Sequence, residues 1–276
     1  MNKNKYPLLP LEFKPVNPHQ AFEKLRGDTD TIVIFIHGFL GSPRQFAEFG
    51  DFVYKQGYAY ASLLLPGHGG TAKDFAVNSQ QQWIAYLHRQ VHHYAGLYAN
   101  VFLVGHSMGG LLAINESLCP KANVKGLILL NTAIKIGLKS RYSMYTAKNW
   151  FSRYPVYNRI DRYYRENNSV EKGNLFRTIS WLPRVIDLVR LSKMAVKNLP
   201  LVKVPVLITQ SRNDEAVLHH SAAIIEKGLI SCPYHRLVYF KRSWHSYYFK
   251  KEKAQLKDEM KCFLNICTQR KTVVRG

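Results

Sequence analysis

Apolar residues along this chain recur at two spacings, and the two alternate. Thr31 to Ile36 is an unbroken run of β-branched and aromatic residues, short enough to be a strand buried on both faces. After a His-Gly-Phe-Leu-Gly turn, Ser42 followed by Pro43 predicts a helix start, N-cap then first helical position. Phe46, Phe49, Phe52 and Val53 carry that helix toward Gln56, and Gly57 stops it. Tyr58 to Leu65 predicts the next strand, with Pro66-Gly67-His68-Gly69-Gly70 as the loop behind it. Asn78 or Ser79 caps a long helix whose apolar positions Trp83, Ile84, Leu87, Val91, Tyr94 and Leu97 keep helical spacing. A strand from Val101 to Val104, a helix reaching Leu118, and a strand from Val124 to Leu130 follow. Two more strands are predicted at Val204–Gln210 and His235–Phe240, with a helix from Ser221 to Lys227 between them. An amphipathic helix from Lys250 to Cys267 closes the pattern. Strands alternating with helices predict an α/β fold, a mostly parallel central sheet with helices on both faces.

Two stretches depart from the alternation. Residues 1–30 carry Pro7, Pro10, Pro15 and Pro18 and read as an extended lead-in, with an edge strand around Leu11-Glu12-Phe13. Residues 133–200 hold no strand pattern of comparable quality and are punctuated by Tyr and Trp. They predict a mainly helical cap inserted after a strand. The division is therefore 1–132 and 201–276 for the two parts of the core, and 133–200 for the cap.

Charge changes this picture in one respect. The formal net charge is +21. Residues 133–200 hold fourteen Lys or Arg against four Asp or Glu (Asp161, Glu166, Glu171 and Asp187). Unpaired charge is costly to bury, so most of these cations must face solvent. The default reading is a solvated basic surface. A weak contact with anionic membrane surfaces is the partner that the charge suggests. No nucleic-acid module is visible, so no dedicated nucleic-acid partner is expected. Cys119, Cys232, Cys262 and Cys267 show neither a disulfide framework nor a metal-type pairing. They read as thiols of a reducing compartment, so the expected location is the cytoplasm. No apolar run near the N-terminus could serve as a signal peptide, and no stretch is long enough to cross a bilayer. Nothing in the sequence sets an oligomeric state.

The chemistry is carried by Gly105-His106-Ser107-Met108-Gly109-Gly110. A buried strand runs into Gly-x-Ser-x-Gly and a helix follows. That arrangement lifts the Ser107 hydroxyl to the carboxyl edge of a sheet on a strained turn, while Gly105 and Gly109 let strand and helix cross closely. A serine hydroxyl becomes a nucleophile only beside a base, which a third group must orient. Those partners belong at the ends of later strands. The strand ending at Gln210 is followed by Asp214 and Glu215, and the strand ending at Phe240 by His245. Asp214 is the favoured acid, by its distance from the strand end, with Glu215 and Asp187 as rivals. His245 is the favoured base. His219 and His220 compete but begin a helix, His37 and His106 support loops, and His92 and His93 lie on a helix. The oxyanion N–H donors are expected from Met108, directly after the serine, and from Phe39, in the turn after the first buried strand.

Taken together, His37-Gly38-Phe39-Leu40-Gly41-Ser42, Pro66-Gly67-His68-Gly69, the Ser107 turn, Asn213-Asp214 and Trp244-His245 resemble the monoacylglycerol lipase and bacterial carboxylesterase group of α/β hydrolases. The resemblance covers residues 30–132 and 200–267. One departure is Leu218, where that group often has proline. The resemblance implies hydrolysis of carboxylic esters through an acyl-serine, with Ser107 as nucleophile, Asp214 as acid, His245 as base, and no metal or organic cofactor. Small or medium acyl esters are the expected substrates, monoacylglycerols among them. Thioesterase and aminopeptidase chemistry use the same parts, and a non-catalytic ligand-binding protein on this fold is the reading from another class.

Overall fold

The computed structural model describes residues 19–137, 159–171 and 180–269. Seven strands form one sheet in the order β1-β3-β2-β4-β5-β6-β7. They are β1 (Phe22–Lys24), β2 (Thr31–Ile36), β3 (Ala59–Leu63), β4 (Asn100–His106), β5 (Val124–Leu130), β6 (Val206–Ser211) and β7 (His235–Phe240). Only β1 runs antiparallel, against β3. This three-residue edge strand was not predicted, and nothing in Phe-Glu-Lys distinguishes it from the lead-in around it. The strand expected at Leu11-Glu12-Phe13 lies outside the described residues.

The pleat divides the core. Ile32, Ile34 and Ile36 of β2 point to one face, with Leu103, Leu127 and Ile208. Val33 and Phe35 point to the other, with Val104, Ile128 and Leu207. The first face is covered by α2 (Ala72–Val77), α3 (Gln80–Ala95), α4 (Met108–Glu116) and α7 (Ser221–Gly228). The second is covered by α1 (Ala47–Lys55) and α8 (Lys250–Thr268). Burial on both faces is what made the strands read as continuous apolar runs.

Helix starts follow their caps. The Ser42 hydroxyl accepts from Arg44 N–H at 3.2 Å, and the turn it opens, Pro43–Phe46, is 3-10 before α1 begins. Ser79 caps α3 through a capping box with Gln82. Thr71 and Asp74 form the same device at α2, a helix hidden in what reads as loop.

Between β5 and β6 there is no strand among the described residues, only an isolated bridge from Ile136 to Val217. Two helices are described there, α5 (Arg159–Asn167) and α6 (Leu182–Asn198). They differ in where they pack. The buried side of α6 (Leu188, Leu191 and Ala195) joins the first-face core, so this helix also serves as a sheet-covering crossover. The segment after α5 docks on loops of the sheet's carboxyl edge. Ser169 N–H donates to Leu40 C=O and Glu171 N–H to Gly70 C=O, both at 3.0 Å.

Candidate active site

Parallel strands place their carboxyl ends on one edge, and the turns after β2, β4, β5, β6 and β7 therefore gather there. Ser107 follows β4 directly at φ +54°, in the left-handed region, and opens α4. Its N–H donates to Leu130 C=O at 2.9 Å, and its carbonyl accepts from Gly110 N–H at 3.1 Å. The crossing is as tight as the glycines require. A Cβ on Gly105 would lie 2.4 Å from the Gly109 oxygen, and one on Gly109 would lie 2.1 Å from the Ile36 oxygen. Met108 is the first residue of α4, so its N–H has no intrahelical acceptor.

The turn after β2 lies against the serine. A Cβ on Gly38 would stand 2.9 Å from Ser107 Cβ. Gly41 N–H donates to Gly38 C=O at 2.9 Å, and Leu40, at φ +58°, donates its N–H to His68 Nε2 at 3.2 Å. The Phe39 N–H donates to none of the described backbone groups. Its ring packs edge-on against Phe75, 5.0 Å between centroids. His37 and His68 are scaffolding. Each ring accepts a backbone N–H on Nε2, from Leu65 and Leu40 respectively, which requires the neutral form. Burial holds the pKa of His37 well below 6.5 and that of His68 at about 4.

Asp214 and His245 are brought together, with Nδ1 of the imidazole 2.9 Å from Asp214 Oδ2. Both are buried. Asp214 Oδ1 accepts the N–H groups of Ala216 and Val217, at 2.9 and 2.7 Å, and Oδ2 also accepts from Gln210 Nε2 at 3.1 Å. An acceptor-only role for both oxygens favours the carboxylate, so Nδ1 carries the shared proton and Nε2 is left as a base. Burial pulls the His245 pKa down, but the charges of Asp214 and Glu215 and the Asp214 hydrogen bond outweigh it, and the net shift is upward from 6.5.

Glu215 has a different task. One oxygen accepts the His245 backbone N–H at 3.0 Å, and the other accepts the hydroxyl of Tyr164 from α5. Burial raises its pKa. The His245 carbonyl is fixed as well, by Asn131 Nδ2 at 2.6 Å and His106 Nε2 at 2.9 Å. Asn131 also accepts Ser211 N–H at 2.7 Å, so one side chain ties the ends of β5 and β6 to the histidine loop. Sequence reasoning missed Asn131, Gln210 and Tyr164. The first two had a signal, a buried amide at the carboxyl end of an apolar strand. Tyr164 had none among so many tyrosines.

The remaining candidates lie elsewhere. His219 and His220 are exposed at the start of α7. Asp187 is buried between Arg184 (3.1 Å) and Arg190 (3.4 Å), near the start of α3.

A nucleophile-elbow turn, a parallel sheet and an Asp-His pair at its carboxyl edge together define the α/β-hydrolase fold. The chain belongs to the serine aminopeptidase, S33 family, whose model matches residues 27–252. Solved structures agree on the fold. A structure of the metagenome-derived lipolytic enzymes LipS and LipT aligns with TM-score 0.73 at 20% identity, covering 93% of this chain and 100% of that one. The monoacylglycerol lipase of Paleococcus ferrophilus aligns with TM-score 0.67 at 15% identity, covering 90% of this chain and 99% of that one. Among curated relatives, the 2-succinyl-6-hydroxy-2,4-cyclohexadiene-1-carboxylate synthase of Klebsiella pneumoniae (strain 342) is 37% identical over 97 residues, which is 35% of this chain and 36% of that protein. That match spans about a third of the relative's length. The thermostable monoacylglycerol lipase of Bacillus sp. (strain H-257) is 24% identical over 218 residues, 77% of this chain and 82% of that protein.

Proposed function

We propose that this protein is a serine hydrolase that cleaves carboxylic esters through an acyl-serine intermediate. The observation that carries the reading is the 2.9 Å bond between His245 Nδ1 and Asp214, at the same sheet edge as the left-handed Ser107. His245 Nε2 takes the hydroxyl proton as Ser107 Oγ attacks the ester carbonyl carbon. The oxyanion is bound by the N–H groups of Phe39 and Met108. Collapse of the tetrahedral intermediate breaks the carbon–oxygen bond, and His245 returns the proton to the leaving alcohol. Water then repeats the sequence on the acyl-enzyme and releases the acid. Asp214 holds the imidazole in the required tautomer and stabilises its cation. No step in this sequence calls for a metal or organic cofactor.

The substrate class follows the lipase and esterase relatives: small or medium acyl esters, monoacylglycerols among them. No helix among the described residues is long and apolar enough to cross a membrane. The cytoplasm is the location we propose, on the free cysteines without a disulfide framework. Residues 133–200 act as the cap, with α5 reaching the site through Tyr164. Contact with anionic lipid is supported by α6, which exposes Leu182, Val185, Ile186 and Val189 beside Arg190 and Lys193.

The test is turnover of p-nitrophenyl esters of graded acyl length by the wild type and by Ser107→Ala. Hydrolysis of one length class, reduced at least about a thousandfold by the substitution, is expected. No turnover of any ester by the folded wild type would move the chemistry to another reaction of this fold, such as thioester or amide cleavage.

A further inference from the structure

At the far end of α4 from Ser107, the fold gathers four side chains of metal-ligating type. His88 and His92 are one turn apart on α3 and share a face. Glu116 closes α4, and Cys119 stands three residues on, in the turn before Pro120. That turn is held by its own backbone, with Cys119 N–H donating to Glu116 C=O at 3.0 Å and Ala122 N–H to Cys119 C=O at 3.1 Å. One donor atom from each of the four residues lies within 4.8 Å of all the others.

The pairwise distances suit one kind of ion. His88 Nδ1 lies 3.1 Å from Glu116 Oε1, and His92 Nε2 lies 3.4 Å from Cys119 Sγ. Zinc bonds of about 2.0–2.3 Å give tetrahedral edges of roughly 3.3–3.7 Å. The His92–Cys119 edge already has that length, the His88–Glu116 edge is about 0.2 Å shorter, and the others close with a shortening of at most about 1 Å, within reach of side-chain rotation. A plain Glu–His ion pair would account for His88 and Glu116. It does not account for His92 turned onto Cys119, nor for two imidazoles with centroids 4.1 Å apart.

We propose that His88, His92, Glu116 and Cys119 form a structural site for a four-coordinate, borderline-soft divalent ion, zinc being the ion whose chemistry fits. Two nitrogens, a carboxylate oxygen and a thiolate match the ligand preferences of zinc, and four protein ligands leave no open position for catalysis. Glu116 is buried and the His88 side chain is 46% exposed, so the ion would have an inner anchor and an entry path. Its effect is to pin α3 to the carboxyl end of the helix that begins at Ser107. The nine residues of α4, about 13 Å at 1.5 Å per residue, keep it out of the ester chemistry. The Cys spacings alone hide such a site, because the ligands come from α3, the end of α4 and the turn behind it.

The experiment uses the full chain, stripped with a chelator and titrated with Zn²⁺ and, separately, Co²⁺. One equivalent of Zn²⁺ should raise Tm by several degrees. One equivalent of Co²⁺ should give the visible absorption of a tetrahedral ion and a thiolate-to-cobalt charge-transfer band in the near ultraviolet. Cys119→Ser should remove the charge-transfer band. A His88→Gln, His92→Gln double variant, altered only at exposed or half-buried positions, should keep its fold and lose both signals. Absence of the Tm rise and of the cobalt spectrum in the wild type overturns the proposal. So do signals that survive in both variants, because the ion then sits elsewhere. The readouts are independent of hydrolysis.

Discussion

Asp214 and Glu215 are neighbours in sequence, and the turn after β6 sends them to different parts of one histidine. Asp214 meets the ring and Glu215 meets the backbone N–H. The expected cost of Asp214→Asn is about ten-thousandfold in turnover with the fold intact, because the amide favours the wrong tautomer. Glu215→Gln keeps an acceptor for the backbone N–H and should cost much less; comparing kcat for the two variants checks the division. The pH profile adds a second check. His245 must be neutral to act as base, and its pKa is raised above 6.5. The acid limb of kcat/KM in the wild type should therefore have its midpoint above 6.5. In Asp214→Asn the largest raising influence is gone and burial prevails, so the residual activity should show a midpoint shifted to lower pH.

At the scale of elements, the strand–turn–helix around Ser107 is where sequence and structure agree most closely, for a steric reason. Only glycine fits at 105 and 109, so spacing and geometry are the same fact. Gly109→Ala would push a methyl into the Ile36 carbonyl, a backbone group that cannot rotate away. It should lower stability by about 1–3 kcal/mol, readable in the urea midpoint. Gly38→Ala would instead press on Ser107 Cβ and is expected to reduce turnover more than stability. The strands were equally legible: β2, β5 and β7 have the bounds that their aliphatic, β-branched and aromatic content predicts, although β5 carries Lys125 and β7 opens on exposed His235 and Arg236. What stayed hidden had weak local signals. β1 is three residues long and exists through its pairing with β3, and α2 is only six residues long, directly behind a glycine-rich loop. For the candidate site, motif glycines and strand ends pointed to Ser107, Asp214 and His245. The hold on His245 by Asn131, Glu215 and Tyr164 depends on tertiary contacts that no spacing encodes.

For the molecule as a whole, two properties of the surface and the core have measurable consequences. The +21 charge and the mixed apolar and cationic face of α6 predict sedimentation with anionic vesicles at low salt and release at high salt. Val185→Asp with Ile186→Asp should reduce that partitioning several-fold without changing hydrolysis of a soluble ester. Equal binding to neutral vesicles would remove the electrostatic role. In the core, burial holds His37 well below 6.5, His68 at about 4 and His106 at about 3. Each is neutral in the fold and protonates first in the unfolded chain. Their contribution to stability is full above pH 6.5 and is lost as pH falls toward 4 and below. The raised pKa of His245 acts in the opposite sense but is one group against three. Tm should therefore decline from pH 6.5 to 4, and His68→Gln should flatten the decline. The central claim, that Ser107 is a nucleophile activated by His245 and Asp214, is tested most directly by a fluorophosphonate probe with mass spectrometry of the labelled peptide. The account predicts stoichiometric phosphonylation of Ser107, none in Ser107→Ala, and strongly slowed labelling in His245→Ala. An unreactive wild type, or a label carried undiminished by Ser107→Ala, would contradict it.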